Sequence, residues 1–489
     1  MDRLQFTPII EEIVRPPHPT SLYRTIKDRP YSFFLDSALH YKDMGRYSFL
    51  GCDPFLIFKS KKDRITLADG NGCVETRHGD PFSALKEIMS RYKIAEFDST
   101  LPFISGGVGY FSYDLKDHIE VLPDVAVDDL GMPEAIFCFY DVVIIYDHAA
   151  GKTCIASSGL PETDEPARRT RSRARLEACK ADLDKSSLSI PGISGPSEAP
   201  CIRSNFSKEN YVEAIRKAKE YIRRGDIYQV NLSQRFEAAL VEDPYDLYLR
   251  LRNESPAPFG AYLNYGDIAI LSSSPERFLF KRGDYIETRP IKGTRPRGED
   301  AFEDARLEGE LVASAKDRAE HVMIVDLERN DLGRVCEYGS VFPTEFVSLE
   351  KYATVFHLVS TVSGKIRKDA DAIDCLKAAF PGGSITGAPK IRSMEIIEEL
   401  EQVKRAVYTG AIGYIDFRGN MDTSIVIRTF LVKGGKVYFQ VGGGIVADSD
   451  PEAEYEETLH KARGAFRALG ADKHTHGVAS SAVCEHRVL

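Results

Sequence analysis

Strand-like segments occur in groups along this chain, and helical segments lie between the groups rather than between successive strands. Apolar and alternating runs predict strands over 135–147, 153–156, 227–236, 268–273, 355–362, 408–416, 423–432 and 437–441. Charge and helical spacing predict helices over 161–184, 301–331, 389–402 and 451–468. Without a regular β-α-β alternation, this order favours an α+β fold with a mainly antiparallel sheet system.

A stretch rich in Ser, Pro and Gly, from Ser186 to Cys201, is the best candidate for a linker. It follows the charged helix in a chain of 489 residues, a length typical of two or three domains. We therefore expect four parts: an N-terminal lobe over 1–160, the charged helix and linker over 161–204, a larger domain over 205–470 and a polar tail over 471–489.

The composition excludes several classes of protein. With 64 basic and 74 acidic residues the formal net charge is −10, which disfavours a general nucleic-acid or anionic-membrane surface but allows a local cationic pocket. No apolar run approaches the ~20 residues that span a bilayer, and no signal peptide is predicted. Nine dispersed cysteines without a Cys-x-x-Cys pair suit a reducing compartment. We expect a cytoplasmic protein.

Acidic residues on the last predicted helix are candidate ligands of a cation. Asp450 is a plausible N-cap with Pro451 after it, and Glu454, Glu457 and Lys461 fall on one narrow stripe of the helix. The same stripe is also typical of an exposed face with an ion pair between Glu457 and Lys461.

Glu320 lies at the start of a helix whose continuation is apolar enough to be buried. A carboxylate in that position needs a partner. One candidate partner is Mg²⁺, held by one carboxylate from each of two helices. The other is a salt bridge to Arg318 or Arg329, and the pattern leaves both open.

Two glycine-rich turns could approach a ligand closely. The segment Gly383–Lys390 runs straight into a helix, so its free backbone N–H groups could hold a carboxylate or phosphate, although it is not a Walker A loop. The segment Gly442–Gly444 follows a strand and has no side chains to keep a ligand away.

Three strand positions combine polarity with apolar surroundings. Gln229 shares a polar face with Asn231 and Ser233 on a strand flanked by apolar segments. Arg428 shares a face with apolar neighbours, which is a poor place for a cation without an anion. His357 also lies on an apolar face, where a hydrogen-bonded core histidine is the commoner interpretation.

A short cationic segment is the sharpest local feature. Arg289, Lys292, Arg295 and Arg297 place four cations within nine residues of an acidic chain. This density indicates a small-anion site, in which neighbouring cations would lower the pKa of Lys292 and favour its nucleophilic free base. The alternative is a basic loop bound to acidic neighbours.

These segments together resemble the family of chorismate-utilising enzymes, which includes anthranilate, aminodeoxychorismate, isochorismate and salicylate synthases. The similarity spans about residues 205–468 and is carried, in the family's order, by Asp226–Ser233, Ser273–Phe278, Pro290–Thr294, Glu320–Met323, Phe356–Ser360, Gly383–Lys390 and Glu454–Lys461. Looser matches lie at Phe34–Ser37 and Gly45–Gly51. The resemblance implies one α+β unit of two large packed antiparallel sheets with helices outside.

The resemblance also implies roles for individual residues. Mg²⁺ would be bound by Glu320 and Glu457 with Glu454 nearby, and chorismate would be the substrate. Its ring carboxylate would be reached by the metal, by the backbone of Thr386 and Gly387, and by Lys461. Its enolpyruvyl carboxylate would be held by Tyr414, Arg428, Gly443 and Gly444. Glu276 would be the general acid, and His357 would line the ring.

Two positions distinguish the branches of the family. Members that add water to chorismate usually have lysine where this chain has Gln229, which disfavours isochorismate and salicylate formation. Lysine at the position of Lys292 is typical of aminodeoxychorismate synthases, whereas anthranilate synthases usually have alanine. The resemblance thus predicts amination of chorismate at C4, with Lys292 as a covalent nucleophile. Because no Gly-x-Cys-x-Gly segment is present, ammonia would come from a separate glutaminase partner.

Two other interpretations stay open. One is anthranilate formation by the same family. The other is a non-catalytic regulatory protein that binds a carboxylate metabolite, which the presence of Glu276, Glu320, Glu457 and Lys292 disfavours.

Overall fold

The computed structural model describes residues 6–14, 16–41, 44–70, 72–95, 97, 99–185, 192, 195, 199–352 and 355–471. Its strands are β1 (Ile9–Ile13), β2 (Phe33–Asp36), β3 (Tyr47–Gly51), β4 (Leu56–Lys61), β5 (Arg64–Asp69), β6 (Val74–His78), β7 (Gly106–Phe111), β8 (Ala135–Tyr140), β9 (Val142–Asp147), β10 (Lys152–Ser157), β11 (Arg203–Ser204), β12 (Gln229–Ala239), β13 (Phe259–Asn264), β14 (Ile268–Ser274), β15 (Arg277–Arg282), β16 (Tyr285–Arg289), β17 (Ile291–Pro296), β18 (Phe342–Lys351), β19 (Val355–Lys365), β20 (Gly387–Ala388), β21 (Ala411–Asp416), β22 (Met421–Ile425), β23 (Thr429–Lys433) and β24 (Lys436–Ile445).

The α-helices in the same ranges are α1 (Pro19–Arg24), α2 (Pro81–Arg91), α3 (Glu165–Leu183), α4 (Lys208–Arg224), α5 (Pro244–Glu254), α6 (Ala301–Ala313), α7 (Ala315–Gly333), α8 (Ala372–Ala379), α9 (Lys390–Leu400) and α10 (Pro451–Ala468). None of these helices is both long and apolar enough to cross a bilayer. Most of the predicted linker, and the predicted tail from residue 472 onward, lie outside the described residues.

Two 12-stranded antiparallel sheets form the framework. The first sheet has the order β1-β10-β9-β3-β2-β13-β14-β23-β24-β12-β11, with β20 added to β12. The second has the order β17-β19-β16-β15-β22-β21-β7-β8-β4-β5-β6, with β18 added to β19. The predicted α+β class with two large antiparallel sheets is confirmed. The predicted N-terminal lobe and the larger C-terminal domain both contribute strands to each sheet.

The sheets pack face to face through an aromatic-rich core. Phe33 and Phe49 of the first sheet join Tyr110 and Tyr414 of the second in one buried cluster. The helices cover the outer faces, because α1, α3, α5 and α10 contribute apolar residues to a cluster on the first sheet. The helices α2, α4, α7, α8 and α9 contribute to a cluster that combines the second sheet with β12 of the first, on which α4 and α9 pack. Burial of apolar side chains on both faces of each sheet is the main stabilising term of this arrangement.

Helix boundaries follow from local capping. The predicted last helix is confirmed as α10, and the Asp450 carboxylate accepts a hydrogen bond of 2.9 Å from the N–H of Ala453. The single helix predicted over 301–331 is instead two helices. Ser314 separates them, because its hydroxyl caps α7 by accepting from the N–H of Asp317 at 3.2 Å.

The strand predicted over 423–432 is wrong in a way that matters for function. β22 ends at Ile425 in the second sheet, and β23 begins at Thr429 in the first sheet. Arg428 lies in the crossing segment with a positive φ of 51°. The apolar residues Val426 and Ile427 continue the strand-like pattern through this crossing, so the pattern hides it. Arg428 is therefore placed at a passage between the sheets rather than on a strand face.

Candidate active site

Of the four cations in the predicted anion-binding segment, three form ion pairs with acidic neighbours, as the alternative interpretation of a basic loop predicts. Arg289 pairs with Glu350 at 2.6 Å, and Arg295 and Arg297 pair with acids on the adjoining helices at 3.0 and 2.7 Å. Among the described residues, Lys292 forms no ion pair, and its amine donates to the carbonyl oxygen of Ser384 at 3.0 Å. The segment thus supplies one unpaired amine rather than a general cationic surface.

Ser384 connects this amine to the predicted general acid. The Ser384 hydroxyl donates to Oε1 of Glu276 at 2.6 Å, while its carbonyl accepts from Lys292. Glu276 is buried just before β15, and Lys292 lies on β17 of the same sheet. One residue of the glycine-rich turn therefore holds both proposed catalytic groups.

The pKa values of this pair shift towards each other. Burial raises the pKa of the Glu276 carboxyl, opposed by the Ser384 hydrogen bond and by Lys292. Burial likewise lowers the pKa of the Lys292 amine, opposed by Glu276 and Glu320. The sequence predicts that the neighbouring arginines lower the pKa of Lys292. Those arginines are instead paired with acids, and Lys461 is the cation that lowers this pKa. Both shifts favour the neutral forms, as a proton donor and a nucleophile require.

Two acids and one amine surround a glycine of β24. A Cβ added to Gly443 would lie 3.3 Å from Oε2 of Glu454, 3.8 Å from Nζ of Lys461 and 3.9 Å from Oε1 of Glu457. Lys461 donates to the carbonyl of Gly442 at 3.0 Å and pairs with Glu457 at 2.7 Å. The ion pair between Glu457 and Lys461 that the sequence left as an alternative is therefore present, beside Gly443.

Glu320 faces this group from α7. It forms no salt bridge with Arg318 or Arg329 in the described structure, and Arg329 pairs with Asp326 at 3.0 Å. Burial raises the pKa of Glu320, the nearby Glu454 carboxylate raises it further, and Lys292 opposes both. Lys292 thus interacts electrostatically with acids from two helices.

The donor chemistry of these acids fits Mg²⁺. Burial would raise the pKa of Glu457, but Lys461 and other cations outweigh it and lower that pKa, so the carboxylate is held ionised. No three His, Cys, Asp or Glu side chains among the described residues lie close enough to form a metal cage by themselves. Mg²⁺ is commonly held by one or two carboxylates together with substrate oxygens and water, and Glu320 and Glu457 could supply such carboxylates.

Gln229 and the two glycine turns form another wall. The buried Oε1 of Gln229 has no hydrogen-bond partner, and a Cβ on Gly444 would lie 2.1 Å from its Nε2. Gly387 has a φ of +145°, and a Cβ there would lie 2.2 Å from the Gln229 carbonyl. Thr386 is fully buried next to it, and its carbonyl accepts from the N–H of Asn231 at 2.8 Å. Only glycine fits at 387, and at 444 an added methyl group would have to displace the Gln229 amide.

Arg428 and His357 are the last two predicted residues of the site. The Arg428 guanidinium has no ion pair or hydrogen bond in the described structure, and burial lowers its pKa while the Glu276 carboxylate opposes this. His357 is buried, shares a hydrogen bond of 2.8 Å with the Thr294 hydroxyl, and has its pKa lowered to about 3 by burial and by Arg428. An unpaired cation between a neutral imidazole and an acid is suited to bind an anion.

Tyr414 is the predicted site residue that the structure does not bring to this group. Its ring stacks on Phe103 at 4.6 Å and meets Phe49 at 5.4 Å within the core between the sheets. Tyr408 lies beside the crossing segment that carries Arg428, where the N–H of its neighbour Thr409 donates to the Val426 carbonyl oxygen at 2.7 Å. The sequence pattern missed Tyr408 because the segment before β21 resembled more of the same strand.

Two further residues were not predicted. Ser384 lies in the glycine-rich turn Gly383–Lys390, for which the sequence predicts only backbone contacts with a ligand. Lys316 lies 3.7 Å from Glu454 on the first turn of α7. A basic residue four positions before Glu320 on one helix was the available signal for its place near the acids.

Comparison with known proteins identifies the family. The model described as chorismate binding enzyme matches residues 24–467. The chain belongs to this chorismate-binding enzyme family. It is 42% identical over 459 residues to anthranilate synthase component 1 of Acetivibrio thermocellus, covering 92% of each chain. It is 40% identical over 448 residues to aminodeoxychorismate synthase component 1 of Bacillus subtilis, covering 91% of this chain and 92% of that protein.

A solved structure agrees with the fold. Anthranilate synthase component I from Streptococcus pneumoniae matches with a TM-score of 0.75 and 33% identity, over 88% of this chain and 94% of that chain. Family membership makes the chain a chorismate-utilising enzyme. Because relatives with two different names match at nearly equal identity, family membership alone does not select the reaction.

Proposed function

We propose that this chain is an aminodeoxychorismate synthase component I, which replaces the C4 hydroxyl of chorismate by an amino group from ammonia. The observation that carries the proposal is the Lys292 amine, which is unpaired and linked to Glu276 through Ser384. An amine and a carboxyl whose pKa values are both shifted in favour of the neutral form suit nucleophilic attack coupled to departure of a hydroxyl group.

Binding relies on two cations of the site. Arg428, which has no partner in the described structure, takes the enolpyruvyl carboxylate, and Lys461, which is paired with Glu457, takes the ring carboxylate together with the turn at Thr386 and Gly387. Bound by Glu320 and Glu457, Mg²⁺ would supply Lewis-acid neutralisation of the ring carboxylate. The neutral His357 imidazole lines the ring without adding charge.

Chemistry proceeds by two displacements. The Lys292 amine forms a C–N bond at C2, both ring double bonds shift by one position towards C4, the C4–O bond breaks, and Glu276 gives its proton to the leaving hydroxyl, which departs as water. Ammonia then forms a C–N bond at C4, both double bonds shift back, and the C2–N bond to Lys292 breaks, which restores the amine. The new ammonium group at C4 returns a proton to the Glu276 carboxylate. The product is 4-amino-4-deoxychorismate, the precursor of para-aminobenzoate in folate synthesis, with the pyruvyl group retained.

Ammonia reaches the site from a separate glutaminase subunit in this proposal. The chain has no Gly-x-Cys-x-Gly segment that could provide a thiol nucleophile for glutamine hydrolysis. The isolated chain should therefore use ammonium salts, and it should use glutamine after a glutaminase component is added.

The second candidate is anthranilate synthase component I, favoured by the name of several relatives near 40% identity. In that reaction nitrogen is added at C2, and pyruvate is released as the ring becomes aromatic. Lys292 would then have no covalent role.

The test is incubation with chorismate, Mg²⁺ and ammonium, followed by mass spectrometry of small-molecule products and of the intact protein. We expect 4-amino-4-deoxychorismate without pyruvate release, and a chorismate-derived adduct that is absent in Lys292→Ala. Lys316→Ala is the matched control, because it removes an amine near the same acids and should keep the adduct. Anthranilate as the sole product would refute the proposed branch.

A further inference from the structure

Glu328 is a buried acid on α7 that takes no part in the chemistry described above. It lies two turns after Glu320 and is 2% exposed. Its Oε1 accepts a hydrogen bond of 3.1 Å from the N–H of Gly383, and its Oε2 is joined to the Thr288 hydroxyl at 3.3 Å. One carboxyl group therefore fastens the glycine-rich turn to both α7 and β16.

The turn that Glu328 holds carries the residue linking the two proposed catalytic groups. Ser384 follows Gly383 directly, and it contacts Lys292 through its carbonyl and Glu276 through its hydroxyl. The turn also packs closely on α7, since a Cβ on Gly383 would lie 2.7 Å from the Leu327 side chain. A shift of Gly383 would change both contacts of Ser384 together.

We propose that Glu328 is a positioning residue, which fixes the turn at Gly383 so that Ser384 keeps Lys292 and Glu276 in their reactive geometry. The inference rests on the proposed function for its catalytic consequence. The geometric part, that Glu328 sets the environment of the Lys292 amine, does not depend on which product is formed.

The groups around Glu328 support this role. Burial raises the pKa of Glu328, the nearby Asp331 raises it further, and Lys390 opposes them. Asp331 pairs with Lys390 of α9 at 2.6 Å, and the Glu276 carboxyl faces Glu328 from beside β15. The Glu328 carboxyl accepts from both the Gly383 N–H and the Thr288 hydroxyl. The amide of glutamine can keep both contacts, by accepting from Gly383 and donating to the Thr288 oxygen, whereas leucine can keep neither.

The experiment compares Glu328→Gln and Glu328→Leu with a matched pair at Glu398. Glu398 is also buried, at 3% exposure, but it pairs with Lys404 and accepts from the N–H groups of Val125 and Ala126, away from the turn. Two quantities are measured. One is the rate at which trinitrobenzenesulfonate labels Lys292 as a function of pH, followed by peptide mass spectrometry. The other is kcat and KM with chorismate, Mg²⁺ and ammonium.

We expect Glu328→Leu to lose about tenfold or more in kcat with little change in KM, because loosened catalytic groups reduce turnover more than binding. The labelling profile of Lys292 should shift in the same variant. Glu328→Gln should keep both near the wild-type level at neutral pH, and Glu398→Leu should lose stability without either effect. Wild-type kcat and labelling in Glu328→Leu, or equal losses in Glu398→Leu, would overturn the proposal.

The test stays decisive in two further cases. If Glu328→Leu does not fold, Glu328→Met decides by the same two measurements, because its unbranched side chain packs adaptably and makes neither contact. Wild-type kcat and labelling in Glu328→Met would overturn the proposal. If the wild type does not turn over chorismate, the proposed function fails, while Lys292 labelling still tests the role of Glu328.

Discussion

Replacing Arg428 by methionine should raise the unfolding free energy of the free protein and should also raise the KM for chorismate. The guanidinium is desolvated without a partner in the described structure, which lowers its pKa. An unpaired buried charge lowers the unfolding free energy by several kcal/mol. Because the Arg428 side chain is only partly buried, we take about 2 kcal/mol as the gain in unfolding free energy on its removal. Methionine has a similar length and keeps the backbone strain at φ 51° unchanged, so that term cancels.

The magnitude is measurable by thermal unfolding. For 489 residues the entropy of unfolding is about 1 kcal/mol per kelvin, so about 2 kcal/mol corresponds to a rise in Tm of about 2 °C. The same substitution removes a charge-assisted hydrogen bond to a carboxylate, worth about 1.5–3 kcal/mol. KM for chorismate should therefore rise by roughly 10- to 100-fold.

Arg405→Met is the matched control for this prediction. Arg405 is also buried, but it pairs with Glu401 at 2.7 Å and donates to the carbonyls of Asn231 and Ile385. Its removal leaves the Glu401 carboxylate unpaired and should cost about 3–5 kcal/mol of stability. If Arg428→Met lowers Tm as Arg405→Met does, the Arg428 guanidinium has a partner in the free protein and the anion-site argument fails.

Three further predictions test other parts of the site. Glu320→Gln should raise the Mg²⁺ concentration for half-maximal turnover at least about tenfold. Glu452 is exposed, and Glu452→Gln should leave that concentration unchanged. Equal Mg²⁺ titrations of the two variants would contradict the ligand assignment. Burial lowers the pKa of His357 to about 3, so the folded state binds fewer protons than the unfolded state below about pH 6.5 and loses stability as pH falls. From pH 8 to 5 the unfolding free energy of the wild type should drop about 2 kcal/mol more than that of His357→Gln, and parallel curves from denaturant titrations would disprove this. Gly444→Ala should displace the Gln229 amide and lower kcat/KM about tenfold. Unchanged kinetics would show that turnover does not depend on the position of this amide.

Periodicity predicted the fold class because it reports which faces of an element are buried. The bounds of α10 follow from Asp450, Pro451 and the apolar stripe behind them, all of which are local. The crossing at Arg428 is not local. Val426 and Ile427 are apolar because each sheet has a buried face, and a chain leaving one sheet for the other meets the second face at once. No pattern within the segment distinguishes that passage from a continuous strand.

For the site, the sequence supplied residue types and the structure supplied pairing. Arg289, Arg295 and Arg297 are as basic as Lys292 in the sequence, and their acids lie between 7 and 61 positions away along the chain. Which cation stays unpaired depends on helices α6 and α7 and on strand β18. Tyr414 shows the same limit, because a tyrosine on a strand can face either the core or a cavity, and its ring faces the core.

The features that break local rules are connected through Glu276 and the turn from Ser384 to Ala388, and this convergence is the strongest argument for a dianionic ligand. Arg428 combines a positive φ with an unpaired charge, Lys292 is an amine without an acid partner, and Gln229 has a buried oxygen without a donor. Each would lower the stability of the free protein, and scattered over the molecule they would be defects. Placed around the same space, they are complementary to a molecule with two carboxylates and a hydroxyl group. The stability that the free protein lacks at these positions is therefore available as binding energy when such a molecule enters.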